Sequence, residues 1–131
     1  MIDFDAVTRL AQEAGLAIME VYERSGDINV EIKGDESPLT EADLAANDVI
    51  SKGLTSIAPD IPIVSEEGNV GDPRDTPYCW LVDPLDGTKE FIKRNGMFTV
   101  NIALMRRKGT RWDPVFGVVH APATNTTWRG G

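Results

Sequence analysis

An apolar segment, Trp80-Leu81-Val82, runs straight into Asp83-Pro84-Leu85-Asp86-Gly87-Thr88-Lys89-Glu90-Phe91. A chain with this run ends a buried strand in a tight turn while holding two carboxylates at the strand's mouth. Like charges so placed repel unless a cation joins them. Two carboxylates separated by Pro-Leu, with a backbone carbonyl between them, suit a hard, oxygen-seeking ion. Gly87 lets the backbone turn closely around whatever the ion holds. Thr88 and the amides after it start a helix whose free N–H groups suit a phosphate. The plainer reading of the same residues is an Asp-Gly turn between strand and helix, with Asp86 as the helix cap.

Upstream stretches add to the acidic set. Ile61-Pro62-Ile63-Val64 reads as a short buried strand, and Ser65-Glu66-Glu67-Gly68 sets two further acids at its end. Thr40-Glu41-Ala42-Asp43 opens an apolar-periodic segment containing Leu44, Val49, Ile50, Leu54 and Ile57. Taken alone, that opening is a capping box, with Thr40 as N-cap and Asp43 as the reciprocating acid.

In that order and at those separations, Thr40-x-x-Asp43, Glu66-Glu67 and Asp83-Pro84-Leu85-Asp86-Gly87-Thr88 resemble the inositol monophosphatase superfamily of lithium-sensitive, magnesium-dependent phosphatases. The continuation Lys89-Glu90-Phe91-Ile92-Lys93-Arg94-Asn95-Gly96 and then Phe98-Thr99-Val100-Asn101-Ile102-Ala103-Leu104 is more specifically similar to the bacterial 3'(2'),5'-bisphosphate nucleotidases. The resemblance implies an α/β fold, the N-terminal half of the layered inositol monophosphatase and sugar phosphatase architecture, with two long helices packed on a largely antiparallel sheet. It implies that Glu66, Asp83, the Leu85 carbonyl, Asp86 and Thr88 surround Mg2+, with two or three ions in the intact family. Asp83 would bridge two ions, Glu66 and Leu85 would help hold the first, and Asp86 would belong to the second. Asp43 and Thr88 would orient and deprotonate the attacking water, Glu67 would stand behind the ligands, and the Gly87 and Thr88 amides would receive phosphate oxygens. The implied reaction removes the 3'-phosphate of adenosine 3',5'-bisphosphate, a small phosphorylated nucleotide. Inositol monophosphatase or sugar bisphosphatase activity is the alternative within the family.

Two departures accompany the resemblance. The family is about twice this length, the size of a larger α/β unit, and its second half supplies a Trp-Asp motif carrying a further metal ligand. Residues 1–131 end at Trp128-Arg129-Gly130-Gly131, so they are read as the N-terminal, metal-binding portion of a phosphatase domain without its C-terminal half. Met97 stands where related nucleotidases usually carry an acidic residue. A reading of another class follows from the same shortness. It is a catalytically incomplete fragment that binds metal and self-associates, as a homo-oligomer or with a missing C-terminal segment, through a sheet edge and apolar surface.

The remaining residues bound these readings. A formal charge of −8 and a pI near 4.5 argue against duplex nucleic acid or an anionic membrane, which want clustered Lys and Arg. Cys79 is the only cysteine, which excludes an intrachain disulfide and suits a small core hydrophobe. His120, also alone, reads as a packed or edge histidine, and no His or Cys pattern supports zinc. There is no long apolar span and no signal-type leader, which makes the cytoplasm the default location.

Asp3 or Asp5 caps a first helix in which Val7, Leu10, Ala11, Ala14, Ile18, Val21 and Tyr22 recur at helical spacing. The spacing of 27–33 predicts a half-exposed strand, 34–38 a polar loop, and 68–77 a surface crossing. Phe98, Val100, Ile102 and Leu104 alternate with polar or small residues, and Arg106-Arg107-Lys108-Gly109-Thr110 turns that strand back onto Val115 to His120. Arg106, Arg107, Lys108 and Arg111 read as a solvated hairpin tip, and Lys89, Lys93 and Arg94 as facing water.

Overall fold

A computed structural model describes residues 2–25, 38–87 and 97–131. The expected strand over 27–33, the loop that follows it, and the helix from Thr88 with Lys89, Lys93 and Arg94 lie outside the described residues.

Helix α1 spans Phe4–Ser25. Its first free amides are met by Asp3, whose Oδ1 accepts from the N–H groups of Asp5 (3.0 Å) and Ala6 (3.1 Å), so Asp3 is the cap and Asp5 a first-turn acid facing the positive helix end. Helix α2 spans Pro38–Ile57. It therefore starts before Thr40, which lies inside the helix rather than at its N-cap. Proline favours this earlier start, because its fixed φ is helical and the N–H it lacks is one the first turn leaves unused.

The two helices pack on each other and on one face of a sheet. A Cβ at Gly53 would lie 2.3 Å from Leu10 Cδ1. Glycine in α2 thus costs about 1 kcal/mol of helix propensity but admits the Leu10 side chain of α1 against the helix backbone.

The sheet has five strands in the order β1-β2-β3-β4-β5, numbered along the chain. These are β1 (Ile63–Ser65), β2 (Tyr78–Asp86), β3 (Thr99–Lys108), β4 (Arg111–Ala121) and β5 (Thr126–Gly130). β1 and β2 are parallel, and the other neighbours are antiparallel. The surface crossing from β1 to β2 carries a short 3-10 turn, Pro73–Asp75, capped by Asp72.

Alternation sorts the faces. Trp80, Val82, Val100, Ile102, Leu104, Phe116 and Val118 point into a core shared with Val7, Ile18, Ile50 and Leu54. Shaving Phe98 or Trp80, both fully buried, to alanine would cost about 3–5 kcal/mol. The opposite face carries Asp83, Asn101, Val119 and Trp128 in one cross-strand row, and Leu81 and Trp128 on it are exposed.

Cys79 is buried, and desolvation pushes its thiol pKa up, which suits an inert core residue. His120 is 2% exposed, its Nδ1 lies 2.8 Å from Thr127 Oγ1, and its ring packs against α1 at Gly15.

Arg106, Lys108 and Arg111 at the hairpin tip are exposed, as a solvated tip requires, whereas Arg107 is half-buried. Arg107 donates from Nε to the Thr76 carbonyl (3.1 Å) and from one terminal nitrogen to the carbonyls of Pro73 (2.6 Å) and Arg74 (2.7 Å). Its guanidinium also lies 4.5 Å from the centre of the Trp112 ring. One cation thereby ties β3 to the turn that feeds β2. Arg107→Met keeps the aliphatic stem and leaves three carbonyls without this donor, so it is expected to lower stability by about 2 kcal/mol. Urea unfolding measures this, and a loss below about 0.5 kcal/mol would mean that water replaces the guanidinium without penalty.

Candidate active site

The acids gather where β1 and β2 end. Parallel pairing sets Ser65 opposite Val82, so Glu66 and Asp83 leave the sheet side by side. In the antiparallel ladder Asp83 faces Asn101, whereas Asp86 faces Thr99. β2 therefore takes three steps while β3 takes two, and the extra residue forms a bulge at Pro84-Leu85. In an unbroken strand, residues three apart point to opposite faces. The bulge brings Asp83 and Asp86 back into phase, on the face that carries Asn101 and Thr99. It also accommodates Pro84, which has no N–H to give to a ladder. β2 thus continues through Pro84 to Asp86, and Leu85, 5% exposed, anchors the bulge in the core.

Asp43 approaches from α2. Burial pushes its pKa from 3.8 up to about 6, with further contributions from the negative charges of Glu67, Asp83 and Glu66. Asp83 is raised as well, by burial first and then by Glu66 and Asp86, while a hydrogen bond from the Leu85 N–H pulls the other way and Glu67 adds a last upward push. Glu66, Glu67 and Asp83 are therefore within electrostatic reach of Asp43, and Glu66, Glu67 and Asp86 of Asp83, although these acids come from three elements. Glu67, expected to stand behind the ligands, exerts the largest single-charge effect on Asp43.

Among the described residues, no three acidic, histidine or cysteine side chains are closed into a ligand cage. The donor chemistry, carboxylates with a nearby carbonyl, fits a hard divalent ion. Gly87 has a φ of +100°, so a side chain there would be strained and glycine frees the backbone to turn beneath a ligand. Thr88 lies outside the described residues. Met97, 72% exposed, precedes β3 at the same end of the sheet.

Reading the strand from 98 to 104 only as an alternating pattern misses Thr99 and Asn101. They stand opposite Asp86 and Asp83, and Asn101 Nδ2 donates to Thr99 Oγ1 at 3.2 Å. The available signal was chemical. The outward positions of β3 are polar at 99 and 101 and lose that polarity at Ala103 and Met105. Below this row the open face forms a hollow of about 470 Å³, lined by Val64, Leu81, Ala103 and Val119 and bordered by Glu66 and Asp83.

Two helices on one face of a mixed sheet, with acids collected at the carboxyl ends of its parallel strands, define an α/β protein. The chain belongs to the inositol monophosphatase family, whose profile matches residues 3–131.

It is 52% identical over 126 residues to the 3'(2'),5'-bisphosphate nucleotidase CysQ of Shigella flexneri, covering 95% of this chain and 50% of that protein. The protein of the same name from Escherichia coli strain K12 is 50% identical over 126 residues, with the same coverage. Among solved structures, CysQ from Bacteroides thetaiotaomicron, described as a bacterial member of the inositol monophosphatase family, superposes with a TM-score of 0.78 at 42% identity. That match covers 95% of this chain and 44% of the other. The IMPase of Thermotoga maritima gives 0.75 at 28% identity, over 97% of this chain and 47% of its own. The chain spans about half the length of the curated relatives it matches.

The Asp43 shift has a consequence for stability. Its native pKa, about 6, exceeds the ordinary 3.8, so between those values the native state holds a proton that the unfolded chain has released. Stability from this group is complete below about pH 3.8 and is lost as pH rises through 6. Without metal, Asp43→Asn is expected to raise the thermal midpoint at pH 7 and to flatten its dependence between pH 4 and 6. Unfolding scans in chelator test this, and an unchanged slope would show that Asp43 is not the group responsible.

Proposed function

We propose that this chain is the metal-binding portion of a magnesium-dependent phosphomonoesterase that removes the 3'-phosphate of adenosine 3',5'-bisphosphate. The observation that carries the reading is the convergence of Asp43, Glu66, Glu67, Asp83 and Asp86 on one end of the sheet. The chain's similarity to proteins named 3'(2'),5'-bisphosphate nucleotidase supports the choice of substrate.

In this reading Glu66, Asp83, the Leu85 carbonyl and Asp86 hold Mg2+, as two or three ions, and Glu67 supports them. Bound magnesium polarises phosphoryl oxygens and makes water more acidic. Asp43, on a different element from the strand-end acids, takes the proton of the attacking water, and Thr88 orients that water. The Gly87 and Thr88 amides receive the phosphate oxygens. A working location in the cytoplasm and sensitivity to lithium belong to the same proposal.

A second reading is a fragment that binds metal and self-associates. The open sheet face with Leu81 and Trp128 exposed supports it. Sedimentation separates the two, because self-association gives a mass that rises with concentration and the first reading needs none.

The direct test is magnesium-dependent phosphate release from adenosine 3',5'-bisphosphate, compared with an inositol monophosphate and a sugar bisphosphate. Asp83→Asn is expected to leave the chain folded and lower turnover by about 1000-fold or more, the scale of several kcal/mol of charge stabilisation. Thr88→Ala should lower kcat more than it raises KM. Wild-type turnover in either variant sinks the role given to that residue. Faster release from the inositol or sugar phosphate sinks the substrate.

A further inference from the structure

Among the described residues, two polar side chains are buried, His120 and Ser65. His120 faces α1, away from the acids. Ser65 closes β1, directly before Glu66 and Glu67, and its hydroxyl both donates and accepts a hydrogen bond. It donates to Asn47 Oδ1 on α2 at 2.7 Å and accepts from the Glu67 N–H at 3.2 Å. The turn beyond it is closed on itself. Asn69 Oδ1 accepts from the Ser65 N–H (3.0 Å), Gly68 N–H donates to the Ser65 carbonyl (3.1 Å), and Ile63 and Val70 exchange two backbone bonds. The segment from 63 to 70 thus closes on itself through hydrogen bonds, and the Asn47–Ser65 bond links it to α2.

Asn47 lies four residues after Asp43, on the same helix face. The link therefore sits one helical turn from Asp43 and one residue from Glu66. Carboxylates from α2 and from the β1 loop repel, and that repulsion acts to part the two elements. A charged tie at this point would compete with a cation for the acids or add to their repulsion. A part-buried amide–hydroxyl pair holds the elements together while leaving the charge balance alone.

We propose that Asn47 and Ser65 are positioning residues for the acidic site, a neutral pin that holds the Glu66-Glu67 turn against the Asp43 face of α2. This rests on the metal-binding reading of that site. The pin touches neither substrate nor ion. It sets where the Glu66-Glu67 turn stands relative to Asp43, and residues that orient metal ligands typically change affinity by 10–100-fold when removed.

The test is Mn2+ binding to this chain, with free ion followed by electron paramagnetic resonance. Asn47→Leu and Ser65→Ala remove opposite ends of the pin, so either folded variant carries the result, and each is expected to weaken binding about 10-fold. Ser65→Thr keeps the hydroxyl and should bind as the wild type does. The double variant should bind no more weakly than the weaker single one, because both changes break one link. Ser51→Ala, a change elsewhere on α2, should leave affinity unchanged. If Asp83→Asn weakens Mn2+ binding but both pin variants bind normally, or if their losses add, the pin is overturned and the site stands. If Asp83→Asn itself binds normally, the metal-binding reading falls, and the pin with it.

Discussion

A strand that kept its two-residue period would aim Asp83 and Asp86 at opposite faces of the sheet, one into the helix-covered core and one outward. The single extra residue at Pro84-Leu85 prevents this. Everything around the site depends on that bulge. It phases the two aspartates, gives Pro84 a place in the strand, and buries Leu85 so that the bulge is fixed by packing. Parallel pairing with β1 then delivers Glu66 beside Asp83. The pairing is parallel because the crossing from 66 to 77 returns the chain to the start of β2 instead of folding it back as a hairpin.

The scaffold has to hold these acids against their own repulsion. Their elements are tied by groups that carry no negative charge. α2 is locked to α1 through the close approach at Gly53 and Leu10, β1 is tied to α2 by Ser65 and Asn47, and Arg107 fastens the crossing to β3 at the far end of the sheet. The upward pKa shifts of Asp43 and Asp83 are the electrostatic mark of this arrangement. Burial and like charge act together there, and a divalent ion would relieve both.

Much of the fold was legible where pattern and burial coincide. The stripe from Val7 to Tyr22, the alternation from Phe98 to Leu104 and the return from Val115 to His120 each correspond to a period with one apolar face. Three features were not legible, for different reasons. β5 has no alternating apolar pattern. Thr126-Thr127-Trp128-Arg129 pairs through its backbone with β4 after a turn in which Asn125 takes a φ of 52°. The start of α2 at Pro38 is masked by a stronger-looking capping pattern at Thr40. Arg107 sits in a run of basic residues that composition assigns to water, yet its neighbours in space are carbonyls about thirty residues away in sequence.

For the site, the sequence alone determined which kinds of donors are present and in what order. Carboxylates at 43, 66, 67, 83 and 86, a glycine at 87 and the family pattern they form are all local facts. Tertiary structure decided which of them meet. Whether Asp83 and Asp86 share a face is a property of register, which one inserted residue reverses. The approach of Asp43 to Asp83 depends on how α2 packs across the sheet, and its pKa near 6 depends on the burial and neighbours that packing supplies. Spacing along the chain contains none of those distances, because side-chain direction and electrostatic contact arise only once the strands are paired and the helices are laid upon them.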